Sequence, residues 1–221
     1  MTGKELTATL KKKKQNMVEW LISNQLIDYN HAVKFMEAKI QRIYDSLSDE
    51  LVWLLQHPPL YTAGISATDD DIVEKLFPVY KTGRGGKYTY HGPGQRIIYL
   101  MLDLRKRNKC DIKLYIRDLS NWIINVLKYF NITGEFKKDR IGIWVNNNGV
   151  EEKIAAFGIR VRKWITYHGI ALNVSPDLSH YQGIIPCGLK DYGVTSMKEL
   201  GVEVSLSELD DILKKEFYKI F

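Results

Sequence analysis

A cysteine and a lysine are the side chains of this sequence most able to carry covalent chemistry. Cys187 lies in Ile185-Pro-Cys-Gly188, where the proline restricts the chain and the glycine leaves an open backbone N–H behind the thiol. Lys153 opens an otherwise apolar run that continues to Ile159. A thiolate is a good acyl nucleophile, and a neighbouring ammonium favours the thiolate over the thiol. Two structural interpretations stay open, a small buried cysteine and a strand-end lysine whose stem reaches solvent.

A glycine-rich segment over residues 79–95 is the second candidate for chemistry. Glycines let the backbone approach a ligand closely, and adjacent N–H groups can bind an anion. Arg84 would add donors to the tetrapeptide at 83–86, and His91 precedes a sharply bent Gly-Pro-Gly turn. The segment matches neither a Walker loop nor a dinucleotide-binding fingerprint. A hairpin turn with an exposed arginine, and a histidine bonded to a nearby carbonyl, remain alternatives.

The spacing of apolar residues predicts the elements that would position these side chains. Helical periodicity predicts helices over 28–45, 67–76, 111–130 and 206–221. Continuous apolar runs predict strands over 51–55, 97–102, 141–145, 153–162 and 164–174. Because regular βαβ alternation is absent, we expect a single α/β domain with a mixed, largely antiparallel sheet flanked by helices, not a doubly wound parallel sheet. Residues 1–16 are predicted to be a polar extension that need not be ordered, and residues 17–221 the single domain.

Composition narrows the class of protein. The chain has 221 residues, of which 45% are hydrophobic and 26% charged, values that exclude wholesale disorder, collagen-like and coiled-coil structure. Lys+Arg minus Asp+Glu is 32 − 26 = +6, which favours acidic partners. Two cysteines make neither a disulfide framework nor a zinc site and indicate a reducing compartment. Without a membrane-length apolar run, and with no signal-like run after Lys11–Lys14, we expect a cytoplasmic protein that does not contact membranes.

Four segments together resemble one enzyme family. They are HPPLYTAG (57–64), RGGKYTYHGPGQ (84–95), KIAAFGIRVRKWITYHGIALN (153–173) and the run from DLS to IIPCG (177–188). In this order and spacing they resemble the lipoyl(octanoyl) transferases over residues 18–205. The resemblance implies a single α/β domain related to biotin and lipoate protein ligases. It implies transfer of an octanoyl group from octanoyl-acyl carrier protein to a lysine of lipoyl domains of 2-oxoacid dehydrogenase complexes or of glycine-cleavage H protein, without ATP, metal or another cofactor.

The resemblance also implies roles for individual residues. The acyl-thioester cysteine of the family falls on Cys187, and its conserved lysine falls on Lys153. The substrate pocket of the family falls on Arg84, Gly85, Gly86, Lys87, Tyr88, Thr89, Tyr90, His91, Ala156, Phe157, Gly158, Gly169, Ile170 and Ala171. The sequence departs from the family pattern at Arg96, Leu100 and His180, and by the acids Glu151 and Glu152 before the lysine.

The predicted chemistry is thioester-to-amide acyl transfer by a Cys/Lys dyad. Cys187 would attack the donor thioester, and Lys153 would take the proton of the acceptor amine. Backbone N–H groups near Gly188 and in the loop at 85–86 are candidate oxyanion donors. We expect a monomer that binds no nucleic acid. One alternative is an ATP-dependent lipoate protein ligase, in which Lys153 contacts an acyl phosphate and Cys187 is structural. Another is a non-catalytic acyl-binding or nucleic-acid-binding module.

Overall fold

The computed structural model describes residues 18–107, 110–188 and 192–221, and of Cys187 it describes the backbone. The helices are α1 (Tyr29–Tyr44), α2 (Ile112–Tyr129) and α3 (Leu206–Phe217). The strands are β1 (Val18–Leu26), β2 (Glu50–Gln56), β3 (Leu60–Ala63), β4 (Val79–Lys81), β5 (Tyr88–His91), β6 (Gln95–Met101), β7 (Gly134–Phe136), β8 (Ile143–Asn147), β9 (Val150–Arg162), β10 (Ile165–Asn173) and β11 (Gly193–Val194). Three short 3-10 turns lie at Asp69–Asp71, Leu178–Gly183 and Pro186–Gly188.

The main sheet has the strand order β1-β2-β6-β10-β9-β8-β7, and β11 pairs with β9. Strand β1 is parallel to β2 and β11 is parallel to β9, whereas the other neighbours are antiparallel. A second, small sheet has the order β4-β3-β5. The predicted mixed, largely antiparallel sheet is therefore confirmed.

Helices cover both faces of the main sheet. Helix α1 places Met36, Ile40 and Ile43 in one apolar cluster with residues of β2, β6 and β10. Helices α2 and α3 pack on the opposite face, where Trp122 and Phe217 meet edge to face at 5.3 Å between ring centroids. The apolar residues of these helices recur at intervals of three and four, which is why the sequence predicts them well.

Helix N-termini are closed by the side chains that the sequence places there. Asp28 accepts from the backbone N–H of His31, and Asp111 accepts from those of Lys113 and Leu114. Ser205 caps α3 in the same way. Because such caps satisfy backbone donors that have no partner within the helix, they mark where each helix begins.

The prediction of a helix over 67–76 is wrong. Only Asp69–Asp71 is helical, as a 3-10 turn, and Asp71 accepts from the backbone and hydroxyl of Thr68 instead of continuing a helix. Ile72 then forms a β-bridge with Ile184. Consecutive short polar side chains compete with helix formation by bonding nearby backbone groups, which explains the difference.

A buried ion pair connects the main sheet to α3. The Arg96 guanidinium of β6 donates to both carboxylate oxygens of Asp210, with Nε to Oδ1 at 2.8 Å, and the two side chains are 3% and 4% exposed. We expect Arg96→Met to lower the free energy of unfolding by about 3–5 kcal/mol, because the Asp210 charge is left buried and unpaired. The double variant Arg96→Met/Asp210→Leu should recover most of that loss in urea unfolding. Equal losses in the single and double variants would contradict the ion-pair explanation.

Candidate active site

Lys153 lies inside β9, not at its end. The strand begins at Val150, and Lys153 is flanked by β8 on one side and β11 on the other. The residue is 5% exposed. Its Nζ is 4.8 Å from the centroid of the Trp144 ring and makes a long hydrogen bond of 3.4 Å to the carbonyl oxygen of Ile141. The alternative of a lysine reaching solvent along its stem therefore does not hold.

The turn that carries Cys187 is held from both sides. Gly188 N–H donates to the carbonyl of Ile185 at 2.9 Å, and Ile185 N–H donates to the carbonyl of Asp71 at 2.8 Å. Lys87 forms an ion pair with the Asp71 carboxylate at 2.8 Å. Gly188 has a φ of +69°, and a Cβ there would lie 2.4 Å from Cδ of Lys87. The backbone conformation therefore favours glycine after the cysteine, and a larger residue would displace the end of the Lys87 side chain.

A small cavity joins the lysine to this turn. Its lining includes Lys153, Ala156 and Ala171 from β9 and β10, together with Pro186 from the turn. The sheet and the turn therefore bring Lys153 and the chain segment of Cys187 to one place, although they are 34 positions apart in the sequence.

A longer cavity, which we name the slot, runs along the β9–β10 pair. Its lining residues are Tyr29, Arg84, Gly86, Lys87, Thr89, His91, Ile97, Tyr99, Ala156, Phe157, Gly158, His168, Gly169, Ile170 and Ala171. It shares Thr89, Ala156 and Ala171 with the small cavity. The slot therefore adjoins the place where Lys153 and the Cys187 turn meet.

The structure brings most of the predicted pocket residues into the slot. They are Arg84, Gly86, Lys87, Thr89, His91, Ala156, Phe157, Gly158, Gly169, Ile170 and Ala171. Gly85 lies instead on an adjoining groove that also contains Lys153. Tyr88 and Tyr90 face away from the slot, because successive residues of a strand point to opposite faces, and they pack in a separate apolar cluster.

Arg84 supports the glycine loop. The residue is buried, and its guanidinium donates to the carbonyl and hydroxyl of Thr62 at 2.7 and 2.6 Å and to the carbonyls of Gly85 and Lys87. The alternative of an exposed arginine on a hairpin turn is therefore wrong. His91 ends strand β5 and is bonded through Nδ1 to the side-chain oxygen of Gln95 at 2.7 Å.

Sequence reasoning did not select several residues of the slot. Tyr29, Ile97, Tyr99 and His168 line it, and His57 stands behind it with Nε2 at 2.7 Å from the Tyr99 hydroxyl. His57 and His168 occur within the HPP and TYHG motifs, so their motif context was a usable signal. Tyr29 and Tyr99 lie in no such motif. They meet at the slot because helix α1 packs on the face of the sheet where the Tyr99 side chain of β6 lies.

Three buried histidines around the slot are neutral. Burial lowers the pKa of His57 to about 4 and the pKa values of His91 and His168 to about 3. The positive charge of Arg84 also lowers the pKa values of His91 and His168. A neutral ring agrees with the bonds of His57, whose Nδ1 donates to the carbonyl of Ile27 at 2.6 Å while Nε2 accepts from Tyr99.

These lowered pKa values predict acid sensitivity of the fold. In the unfolded chain these histidines bind protons below about pH 6.5, whereas in the folded protein they bind them only near pH 3–4. The free energy of unfolding therefore falls as the pH decreases from about 6.5 towards 4. Each histidine contributes up to about 1.4 kcal/mol per pH unit. We expect urea unfolding to show this decline between pH 6.5 and 4.5, and His168→Asn to reduce its slope by about a third. A flat profile would contradict the assignment of neutral histidines.

Among residues 18–107, 110–188 and 192–221, no group of three or more His, Cys, Asp or Glu side chains is placed to hold a metal ion. In the same ranges, no helix has the length and apolar character needed to cross a membrane.

Comparison with known proteins assigns the chain to a family. The family model "Lipoyl protein ligase A/B catalytic domain" matches residues 28–218. An octanoyltransferase of Wolbachia pipientis subsp. Culex pipiens (strain wPip) is 87% identical over 205 residues, which cover 93% of this chain and 100% of that protein. The chain belongs to the lipoyl(octanoyl) transferase family. An octanoyltransferase of Ehrlichia canis (strain Jake) is 59% identical, over 93% of this chain and 97% of that protein. The predicted family and the predicted acyltransferase activity are both confirmed.

Solved structures show the same fold. A bi-partite lipoate protein ligase from Thermoplasma acidophilum has a TM-score of 0.68 at 17% identity, over 93% of this chain and 84% of that chain. A biotin protein ligase from Aquifex aeolicus with bound biotin and ATP has a TM-score of 0.57 at 15% identity, over 91% and 68% of the two chains. At these identities the likeness establishes the fold and not the reaction.

The departures from the lipoyl(octanoyl) transferase pattern have local structural roles. Glu151 forms ion pairs with Lys137 at 2.8 Å and with Arg140, and Glu152 accepts from the Asn147 amide at 2.9 Å, so both acids are engaged by residues other than Lys153. His180 Nδ1 is hydrogen-bonded to the Tyr90 hydroxyl at 2.8 Å.

Two other departures lie in β6. Leu100 is a fully buried core residue paired with Val52 of β2. Arg96 makes the ion pair to α3 described above.

Proposed function

We propose that this octanoyltransferase-family protein moves an octanoyl group from octanoyl-acyl carrier protein to a specific lysine of lipoyl domains or glycine-cleavage H protein, through a thioester on Cys187. The observation that carries the proposal is the small cavity: Lys153 and the Cys187 turn meet there, and it shares lining residues with the slot. Catalytic roles for Cys187 and Lys153, and acyl binding by the slot residues, are parts of the same proposal.

The first half-reaction transfers the acyl group to the enzyme. The Cys187 sulfur, after losing its proton, bonds to the carbonyl carbon of the donor thioester. The bond from that carbon to the carrier sulfur then breaks, and the carrier leaves as a thiol with a proton from the Lys153 ammonium, so Lys153 is neutral for the second half-reaction. A thiol with an ordinary pKa of about 8.5 is only a few per cent ionised at neutral pH, so a cationic neighbour increases its reactivity.

The second half-reaction forms the amide. The acceptor lysine nitrogen bonds to the acyl carbon, the Cys187 sulfur leaves, and Lys153 removes the proton from the nitrogen. General-base catalysis of this kind contributes about 10²- to 10⁴-fold to a rate. The backbone N–H groups near Gly188 and in the loop at 85–86 are the candidate donors to the oxyanion.

The slot suits a medium-length alkyl chain. Phe157 and Ile170 supply apolar walls, while Ala156, Gly158 and Gly169 leave room beside the strands. A Cβ at Gly169 would lie 2.0 Å from the carbonyl oxygen of Ile98, so the close approach of β10 to β6 beside the slot depends on glycine. Each buried methylene contributes about 0.8 kcal/mol, so a seven-carbon tail supplies several kcal/mol of binding.

The proposed partners are proteins of opposite charge. The net charge of +6 favours association with acidic carrier proteins and acidic lipoyl domains. A lipoyl domain as acceptor agrees with the T. acidophilum structural neighbour, a lipoate protein ligase of a lipoylation system that includes an E2 lipoyl domain. Such steering weakens as ionic strength rises. A cytoplasmic location, a monomeric state and the absence of membrane and nucleic-acid partners stay predictions.

A cofactor test separates this function from ligase activity. Purified protein is mixed with a lipoyl domain and either octanoyl-acyl carrier protein alone or octanoate with ATP and Mg²⁺. The proposal predicts octanoylation with the carrier thioester alone and none with octanoate and ATP. Octanoylation only with octanoate and ATP would establish the ligase alternative, and binding of acyl groups without turnover would establish a non-catalytic module.

A further inference from the structure

His168 is a buried polar side chain of the slot whose hydrogen-bonding groups are unused. The residue is 5% exposed and lines the slot. Within the described residues, neither of its ring nitrogens has a hydrogen-bond partner. Its ring contacts are aromatic: it stacks on Tyr167 at 5.1 Å between centroids and meets the Tyr99 ring edge to face at 6.0 Å. Because the side chain lines the slot, its ring nitrogens are available to form a hydrogen bond with a ligand held there.

The backbone at His168 is also unusual. Its φ is +56°, although it lies within strand β10. A left-handed conformation is unfavourable at a residue other than glycine, and such strain persists mainly at functional sites. The conformation interrupts the regular alternation of the strand and accompanies the placement of the imidazole in the slot.

The register of β9 and β10 places His168 at the far end of the slot. Ala171 pairs with Ala156 next to the small cavity of Lys153, whereas His168 pairs with Ile159. Three residues of strand, from Ala171 to His168, span about 10 Å. An extended chain advances about 1.2 Å per bond, so the seven bonds of an octanoyl chain span about 8 Å. A tail that enters beside Ala156 therefore ends near His168.

The charge of the ring is fixed by its surroundings. Burial, together with the cationic Arg84 and Arg160 and the neighbouring His57, holds the pKa of His168 at about 3. At neutral pH the imidazole therefore offers one N–H donor and one nitrogen acceptor. An unsubstituted alkyl chain uses neither group, whereas a hydroxyl uses either.

We propose that His168 determines specificity at the far end of the slot and that the enzyme also transfers medium-chain acyl groups carrying a hydroxyl at or near the eighth carbon. The hydroxyl would form a hydrogen bond with the imidazole, so neither the hydroxyl nor the imidazole would be left without a partner in the slot. This inference rests on the proposed function, in which the slot holds the acyl tail.

The test is a ratio measured within each enzyme variant. Octanoyl and 8-hydroxyoctanoyl thioesters of the same acyl carrier protein are compared as donors to a lipoyl domain, and the ratio of their kcat/KM values cancels differences in active enzyme. We expect the wild type to transfer the two groups within about fivefold of each other. His168→Leu should lower the ratio of hydroxyoctanoyl to octanoyl by about 10- to 100-fold while octanoyl transfer continues. His168→Asn keeps a polar group and tolerates positive φ, and should retain more of the ratio than His168→Leu.

A matched control makes the same substitution at an exposed histidine. His31→Leu changes a residue on the surface of α1 that does not line the slot, and it should leave the ratio unchanged. Equal ratios in wild type and His168→Leu, or strong rejection of the hydroxylated chain by the wild type, would overturn the assignment to His168. Failure of the wild type to transfer either group from the carrier would instead overturn the proposed function, and this inference with it.

Discussion

Replacement of Cys187 by alanine is expected to abolish octanoyl transfer, lowering kcat by at least about 10³-fold, because the covalent route then has no nucleophile. Two backbone hydrogen bonds hold the turn at Pro186–Gly188, one from Gly188 to Ile185 and one from Ile185 to Asp71. The substitution changes neither of them. The loss of rate should therefore occur without a loss of fold. The measurement is octanoylation of a lipoyl domain under single-turnover conditions.

Cys110→Ala provides the control for cysteine substitution. Cys110 is exposed and lies just before α2, outside both cavities. Its variant should transfer at the wild-type rate. Full activity of Cys187→Ala would show that the cysteine is structural and would favour the ligase alternative.

Replacement of Lys153 by methionine is expected to lower kcat by about 10²- to 10⁴-fold, because the group that accepts the amine proton is removed. Methionine keeps much of the apolar stem of lysine. The lysine ammonium has one long hydrogen bond to Ile141 and a contact with the Trp144 ring in a site that is 5% exposed, so removal of a poorly solvated charge should leave the variant about as stable as the wild type. The measurements are single-turnover transfer and urea unfolding of the same preparation.

A second lysine variant separates charge from position. Lys106→Met changes an exposed lysine in the turn after β6, so it makes the same change in net charge and should keep the wild-type rate at moderate salt. Near-normal transfer by Lys153→Met would contradict a catalytic lysine. A large loss of stability in that variant would indicate a structural role instead.

The two side chains proposed to react, Cys187 and Lys153, stand out in the sequence because their local context is distinctive. Cys187 stands between proline and glycine, and that glycine has a φ of +69° in the structure. The long helices were predictable too, since their apolar spacing and their capping residues agree. The small cavity was harder to predict from the sequence, because the contact of β9 with the Pro186–Gly188 turn depends on pairings between distant segments.

The remaining parts of the site needed the fold. Strand β5 lies within the glycine-rich segment, so the sequence did not predict a strand there. The alternation of side chains along that strand, which turns Tyr88 and Tyr90 away from the slot, was therefore not predicted either. Strand β1 has mostly exposed residues and pairs only at the sheet edge, so it lacks the apolar pattern of a strand. The far wall of the slot combines side chains from α1, β6 and β10, and the β6–β10 register together with the packing of α1 on the sheet makes them neighbours.

The mass of the intact protein tests most directly whether an octanoyl-Cys187 intermediate forms. Wild type, Cys187→Ala and Lys153→Met are mixed with octanoyl-acyl carrier protein without ATP or acceptor. The account predicts one added octanoyl group on the wild type that hydroxylamine removes, none on Cys187→Ala, and slower formation on Lys153→Met. An unmodified wild type that nonetheless octanoylates a lipoyl domain under the same conditions, or an adduct that persists on Cys187→Ala, would contradict it.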